Sequence, residues 1–460
     1  ATPLGWNVEK VETMQGMFLK AVELSPGAVN SWEPVLVTNM ADMFREAAKF
    51  DGDLSGWDVS EVQSMKDMFC GASAFSGDVG GWTVSNVTNM RGMFQNAIAF
   101  DQDLSSWNVG NVTDMSVMFS SAIVEGANNS VFNGNLSSWD VLKVTNMDNM
   151  FAGAVVFEGN GLDSWDTSAV TSMKEMFKKA GVFDTNISTW DVSKVLTMNQ
   201  MFNGAQSFNS VVSDWIVSDV TTMRDMFCDA SNFNQDLSDW NVANVTDMFQ
   251  MFHSATEFEG QGLSNWDVGQ VTDMHGMVKR TDFDQDLGDW DVSQVTDMEN
   301  MFESSELSKD NYDACLNGWS ALPTLQTDVK LNAQNSEYCA EEARGILTSA
   351  PNNWIIVDQG LSDDCIPLAS INDFLILELD GSRAFKTELL QKALKQFNET
   401  SNNTEPSTLM DFVKGTTVNS KVFLEFDLQG IVDAINGEGE GEGEVNIILD
   451  GEDDGSSVVF

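Results

Sequence analysis

The sequence predicts an α/β fold, a solenoid of about twelve stacked coils in which each coil is a short strand followed by a short helix. Three features of the 460-residue chain lead to this prediction: a recurring tryptophan, two kinds of apolar spacing within each repeat, and a change of pattern near residue 306. A fixed period of about 25 residues is typical of stacked repeats, because one unit cannot bury its own apolar face. The tryptophans lie at positions 6, 32, 57, 82, 107, 139, 165, 190, 215, 240, 266 and 290.

The first part of each repeat has the spacing of a strand. Leu54, Trp57 and Val59 are spaced L-x-x-W-x-V, which matches the strand segment L-x-x-L-x-L of a leucine-rich repeat. Tryptophan replaces the second leucine, so its indole N–H needs a hydrogen-bond acceptor inside the core. We expect the backbone of the next coil to be that acceptor.

The second part of each repeat has the spacing of a helix. Met65, Met68, Phe69 and Ala72 lie at i, i+3, i+4 and i+7, which places them on one helical face. We interpret these methionines as core residues, not as ligands of copper or haem. The repeat array, residues 1–306, is therefore predicted to be a leucine-rich-repeat-like solenoid of strand–helix coils.

Several coils depart from the period, and insertions of this kind map to surface loops in repeat proteins. The coil of Trp107 carries an insertion at Val124–Val131. One extra residue occurs near Gly159–Gly161 and another near Gly260–Gly262, and Val278 stands where phenylalanine is expected. Binding loops and neutral drift both fit these departures.

The composition excludes several functions. Lys and Arg number 23 against 71 Asp and Glu, which gives a formal net charge of −48. Such a charge argues against nucleic acid and anionic lipid as partners. No segment approaches about 18 uninterrupted apolar residues, so direct membrane insertion is not expected. Two histidines, His253 and His275, are too few for most histidine-based catalytic or zinc sites, and the chain is predicted not to be an enzyme.

The residue after tryptophan is polar in nearly every coil. Outward-facing residues at this position would form an acidic ladder on the concave face, with carboxylates about 5 Å apart that repel one another. Cations would relieve this repulsion, and carboxylate oxygens are the ligands that calcium prefers. Solvated turns with backbone hydrogen bonds are the alternative. The candidate calcium ligands are Asp58, Asp140, Asp166, Asp191, Asp267 and Asp291.

The repeat W-D-V-S-x-V-T-x-M-x-x-M-F-x-x-A-x-x-F resembles the BspA-like leucine-rich repeat of bacterial, protist and algal surface proteins, from Trp6 to Phe302. The segment Asn311–Gly360 also resembles the closing unit of such arrays. The resemblance implies an extracellular or cell-surface location and a role in adhesion or surface display. It carries no catalytic motif and implies no active site.

Beyond the array the chain is predicted to form two further parts. Residues 307–366 break the period and are interpreted as a C-terminal cap, which a solenoid needs to cover its last coil. Residues 367–460 are predicted to form a small α+β domain for assembly or anchoring. Its expected elements are strands at Phe374–Leu379, Lys421–Leu428 and Val445–Leu449 and a helix at Ala384–Asn398.

Three of the five cysteines lie in the predicted cap. In a secreted chain such cysteines suggest a disulfide. Cys339 with Cys365 is the preferred pair, and Cys315 is the alternative partner for either. Cys70 and Cys228 both follow a Met-Phe pair and are expected to be free and buried.

Eight N-x-[S/T] sequons mark candidate glycosylation sites on a eukaryotic secretory route. One lies in an insertion and two lie in a polar loop, and these three are the preferred sites: Asn128, Asn398 and Asn402. The other five are Asn86, Asn111, Asn135, Asn186 and Asn244.

Together these features predict a non-catalytic extracellular structural protein, a subunit of a surface filament, wall or appendage. Its partners would be further copies of itself or other extracellular subunits. The alternative is a cell-surface adhesin or receptor ectodomain that binds protein or glycan through the concave face. A filament subunit should polymerise, whereas a receptor should stay monomeric and bind a distinct partner.

Overall fold

The structure is a computed structural model that describes residues 4–122, 130–362, 365, 413–418 and 421–426. The chain divides into two compact units, Ala1–Ser362 and Asp363–Phe460. In the first unit, coils of about 25 residues stack in sequence order, and we call residues 4–306 the coil stack. One residue of each coil forms a parallel bridge to a neighbouring coil: Thr13, Asn39, Ser64, Asn89, Asp114, Asn146, Ser172, Thr197, Thr222, Asp247, Asp273 and Asp297.

The helix predicted over Met65–Ala72 is wrong. The amide of Met68 donates to the carbonyl of Met65, 3.1 Å away, which is a tight turn and not a helical bond. The amides of Asp67 and Phe69 instead donate to the following coil, at 2.7 and 2.9 Å. Asp67 also has a φ of +52°, outside the helical region. The apolar spacing arises because consecutive turns point the same residues inward.

The strand predicted over Leu54–Val59 is also wrong. The amide of Trp57 donates to the carbonyl of Leu54 at 3.0 Å, so the backbone turns at the point where a strand would continue. Pairing between coils occurs at Ser64 instead, and it is one residue long. Because turns interrupt the backbone every few residues, the described part of the coil stack contains no strand and no α-helix. The predicted α/β solenoid of strand–helix coils is therefore incorrect, and the coils are built from turns.

The core of the coil stack consists of aromatic columns and methionines. Equivalent tryptophans stack with their rings parallel, and the ring centres of Trp82 and Trp107 are 6.5 Å apart with an interplanar angle of 3°. Equivalent phenylalanines stack in the same way, with Phe69 and Phe94 5.7 Å apart. Met65 is fully buried among them. Because each coil buries the same residues, neighbouring coils share one continuous core.

Two coils absorb the extra residue near Gly159–Gly161 and Gly260–Gly262 in short 3₁₀ helices. These are Leu162–Ser164 and Leu263–Asn265, and a third such helix is Pro26–Ala28. Gly262 precedes its 3₁₀ helix with a φ of +88°, and a Cβ there would lie 2.2 Å from the backbone nitrogen of Ser238. Glycine is therefore required at this close approach between coils.

Regular elements of the first unit lie beyond the coil stack, in the segment predicted as the cap. Leu331 pairs with Met298, so this segment lies directly against the last turn-built coil. β1 and β2 are parallel, with Lys330 opposite Ile355. The elements are α1 (Lys309–Ser320), β1 (Lys330–Ala333), α2 (Glu341–Thr348) and β2 (Ile355–Asp358).

The second unit contains two described strands. β3 (Val413–Val418) and β4 (Lys421–Phe426) are antiparallel, with Val413 opposite Phe426. β4 falls within the strand predicted over Lys421–Leu428, whereas β3 was not predicted. The elements predicted at Phe374–Leu379, Ala384–Asn398 and Val445–Leu449 lie outside the described residues.

Candidate functional site

The tryptophan column fixes the position of the residues beside it. The indole nitrogen of Trp165 donates to the carbonyl of Leu136 at 3.2 Å, and that of Trp190 donates to Leu162 at 2.8 Å. Both acceptors belong to the preceding coil, not to the next coil as expected from the sequence. This bond holds each indole ring inward, and the residue that follows it is exposed to solvent.

All six aspartates that follow a tryptophan are exposed, and none of them lies in a strand. We call these six residues the acidic face. Neighbouring side chains approach each other, since carboxylate oxygens of Asp267 and Asp291 both lie within 4 Å of the position of a Cβ on Gly269. Each aspartate accepts a hydrogen bond from the amide two residues later, at 2.9 to 3.2 Å: Asp58 from Ser60, Asp140 from Leu142, Asp166 from Ser168, Asp191 from Ser193, Asp267 from Gly269 and Asp291 from Ser293.

Part of the acidic face borders an open depression of about 490 Å³. The depression spans two coils, which are joined by a hydrogen bond of 2.9 Å from the buried hydroxyl of Thr167 to the carbonyl of Asp191. Lys194 lies nearby and donates to the carbonyl of Ser168 at 2.8 Å. The lining residues are Asp163, Ser164, Trp165, Asp166, Ser168, Thr189 and Asp191.

Hydrogen bonds lower the pKa of three carboxylates of the acidic face. The hydroxyl and amide of Ser168 lower the pKa of Asp166, and those of Ser193 lower the pKa of Asp191. Ser60 lowers the pKa of Asp58 in the same way. The depression is therefore negatively charged at neutral pH, which suits a cation, an amine or a guanidinium group.

The geometry gives each aspartate a structural role that needs no ion. A carboxylate that accepts the amide two residues later forms an Asx turn, which is the alternative to calcium binding that the sequence left open. None of the six belongs to a group of three or more His, Cys, Asp or Glu ligand atoms within 4.8 Å among the described residues. Calcium binding by the acidic face stays a prediction.

Three sequons of the repeat also have a structural role. The side-chain amides of Asn86, Asn111 and Asn244 donate to backbone carbonyls one coil earlier, at 2.7, 2.8 and 2.8 Å. A glycan on that nitrogen would replace one of its two N–H groups. Asn135 and Asn186 accept from the backbone two residues later. The preferred sequons Asn128, Asn398 and Asn402 lie outside the described residues.

The cysteines fall into two chemical states. Cys70, Cys228 and Cys315 are free and buried, so Cys315 takes no part in a disulfide. Cys339 and Cys365 are each disulfide-bonded.

The structure also brings together a cluster that sequence analysis missed. Cys228, Asp229 and His253 each offer a ligand atom within 4.8 Å of the others. Cys228 and His253 are 25 residues apart, which equals the repeat period and places them on neighbouring coils. This spacing was the signal in the sequence. It was overlooked because two histidines were judged too few for a histidine-based site.

The fold and the acidic face define a repeat protein whose turn-built coils expose a carboxylate at the same position in several successive units. The chain belongs to the family described as Mycoplasma protein of unknown function, DUF285, whose model matches residues 4–97, 23–130, 123–231 and 207–319. A comparison with curated proteins gives no match. Among the described residues, no helix has the length and apolar character needed to cross a membrane.

Proposed function

We propose that this chain is a non-catalytic structural protein of the cell surface whose acidic face binds a cationic surface of a partner protein. The acidic face is the observation that carries the proposal, because exposed aspartates recur at the same position of six coils. The similarity of the repeat to BspA-like surface arrays supports the extracellular location. The net charge of −48 favours fast association with a basic partner.

Titration of the full chain with a cationic lysine peptide at two salt concentrations tests this proposal. The test variant is Asp163→Asn, Asp166→Asn and Asp191→Asn, which removes three charges from the depression. The matched control is Glu257→Gln, Glu259→Gln and Asp282→Asn, which removes three charges from exposed positions that do not line it.

We expect the depression variant to weaken peptide binding at least tenfold more than the control, and salt to weaken wild-type binding steeply. Equal effects of the two variants would show that net charge alone attracts the peptide. If this face instead belonged to an adhesin that binds a neutral glycan, the expected salt dependence would be different. Its binding would be nearly independent of salt.

A second role, the subunit of an extracellular filament, is favoured by apolar side chains exposed at both ends of the first unit. Trp6 in the first coil is 55% exposed, and Ile355 and Val357 of β2 are 54% and 50% exposed. Apolar side chains on the first coil and on β2 suit head-to-tail contacts between copies, which form open filaments when the rotation does not close.

Sedimentation velocity and electron microscopy of the full chain test the filament role, with and without a calcium chelator. Polymers that dissociate in the variant Ile355→Lys with Val357→Lys would support it. A monomer at every concentration would rule out self-assembly by this chain alone. Dissociation on chelation would assign a bridging role to calcium.

A further inference from the structure

The cluster of Cys228, Asp229 and His253 combines three metal-ligand types on two adjacent coils. The sulfur of Cys228 lies 3.6 Å from Nδ1 of His253. Cys228 is buried, His253 is half-buried and Asp229 is exposed. An ion could therefore enter from the Asp229 side and meet the sulfur at the inner end of the cluster.

The separation of sulfur and nitrogen fits a shared ion. Zinc binds sulfur at about 2.3 Å and nitrogen at about 2.0–2.1 Å in tetrahedral geometry, which places the two donors about 3.5 Å apart. The Asp229 carboxylate lies within the same 4.8 Å group. Cys, His and Asp together form a ligand set that zinc accepts, with a fourth position open to water.

The repeat supplies an internal comparison. Cys70 occupies the equivalent position of another coil, and its sulfur lies 3.5 Å from Oε1 of Gln95 in the following coil. Gly71 stands there in place of Asp229. The coil of Cys70 therefore has the same backbone and the same buried thiol but neither of the other two ligands. Of these two pairs of coils, only that of Cys228 and His253 therefore carries the carboxylate and the imidazole.

A catalytic cysteine–histidine pair fits the cluster less well. Activated cysteines have a lowered pKa and an accessible sulfur, whereas burial raises the pKa of the Cys228 thiol to about 12. Asp225 and Asp229 add negative charge beside the thiol, and Lys279 and Arg280 are the cations near His253. The surroundings favour the neutral thiol unless a cation occupies the site.

We propose that Cys228, Asp229 and His253 form a binding site for a zinc-type divalent cation. The thiol proton leaves to solvent when the metal–sulfur bond forms, and no redox change is involved. The second group of candidate ligands, His275, Asp297 and Glu299, has no sulfur, and its Glu299 already pairs with Lys330 at 2.9 Å. The site is independent of the partner binding proposed for the acidic face.

Cobalt titration of the full chain under anaerobic conditions tests the site, because only a thiolate ligand gives sulfur-to-cobalt charge-transfer absorption in the near ultraviolet. We expect one equivalent of cobalt per chain to produce this absorption, and we expect zinc to displace that cobalt. The absorption should be lost in Cys228→Ser and kept in the matched variant Cys70→Ser. Cobalt bound without this absorption, or absorption that persists in Cys228→Ser, would overturn the proposal.

Two further variants keep the test valid if Cys228→Ser does not fold. His253→Gln reproduces the arrangement of Cys70 with Gln95, so its fold should be retained and its cobalt–thiolate absorption lost. Gly71→Asp with Gln95→His should raise the stoichiometry from one equivalent to two. A Cβ on Gly71 meets its nearest atom, Cγ of Glu46, at an ordinary 3.4 Å, and Asp229 adopts a similar positive φ of 57°. An unchanged absorption in folded His253→Gln would rule out this ligand set.

Discussion

The indole nitrogen of Trp190 donates a 2.8 Å hydrogen bond to the carbonyl oxygen of Leu162, one coil earlier in the stack. The bond satisfies two buried polar groups together. It also fixes the register between coils, because the donor and acceptor occupy the same positions in successive repeats. The equivalent hydrogen bond recurs beyond the coil stack, where the indole nitrogen of Trp319 in α1 donates to the carbonyl of Leu287 at 3.0 Å.

Trp190→Phe should therefore destabilise the protein beyond the loss of ring area. The variant removes this donor from the buried Leu162 carbonyl, which still accepts from the Trp165 amide at 3.2 Å, so the lost hydrogen bond should cost about 0.5–1.5 kcal/mol. Urea unfolding followed by circular dichroism measures the change. Trp6→Phe is the control, because Trp6 is largely exposed and should cost less. Equal costs at the two positions would mean that the hydrogen bond contributes nothing measurable.

Gly262→Ala should destabilise the coil stack, because the new methyl group would lie 2.2 Å from the backbone nitrogen of Ser238 and φ is +88°. A strained backbone of this kind costs about 1–3 kcal/mol before the clash is counted. Gly181→Ala is the matched control, since nothing lies within 4 Å of its Cβ position. Thermal melts compare the two variants. A Gly262→Ala melt as high as that of Gly181→Ala would show that the coils can separate freely there.

Arg344→Gln should be among the most damaging changes beyond the coil stack. Its guanidinium binds both oxygens of Asp358, at 2.7 and 3.2 Å, and the hydroxyl of Tyr312 donates to the same carboxylate at 3.1 Å. The Asp358 side chain is only 3% exposed, and removing one partner of a buried pair costs about 3–5 kcal/mol. The outcome is read from the free energy of unfolding in urea.

Lys330→Gln is the control for this pair. Lys330 and Glu299 form an exposed ion pair, and such pairs contribute about 0–1 kcal/mol. A loss in Arg344→Gln no larger than in this control would mean that Asp358 relaxes toward solvent when its partner is removed.

Asp225→Asn should stabilise the protein at neutral pH. Burial raises the pKa of Asp225, although Gln200 donates a 3.1 Å hydrogen bond to its carboxylate. A raised folded-state pKa favours folding below the unfolded value of about 3.9, and this contribution is lost as pH rises through the folded pKa. The advantage of asparagine should therefore be present at pH 7 and disappear as pH falls below about 3.9.

Asp191→Asn should show the opposite sign in the same measurement, thermal unfolding from pH 3 to pH 7. Hydrogen bonds from Ser193 lower the pKa of Asp191, so its carboxylate stabilises the fold above the unfolded pKa. This contribution is lost as pH falls through the folded pKa. Parallel pH profiles for the two variants would contradict the environments described for these side chains.

The repeat period and the buried positions were readable from the sequence, whereas the local backbone was not. Met65 and Phe69 are buried as the apolar spacing indicates. Consecutive tight turns and a helix both return an inward side chain after three or four residues, so periodicity alone could not separate them. The positive φ of Asp67 gave no signal, because aspartate is compatible with many backbone conformations.

The acidic face was partly predictable. The sequence placed Asp166 and Asp191 at an outward position, and both are exposed. The depression beside them could not be predicted, because it also needs Asp163 and Thr189, whose approach depends on how one coil stacks against the next.

By itself the sequence determined a chain of repeated units with one buried set and one polar set of residues, because burial of apolar side chains follows from composition and spacing. Only the tertiary structure decided that the coils consist of turns. Along the methionine segment, alternate backbone amides donate hydrogen bonds to the following coil, and only the others donate within their own coil. The same stacking placed the side chain of Cys228 beside that of His253. These two residues are 25 positions apart in the sequence and lie on adjacent coils.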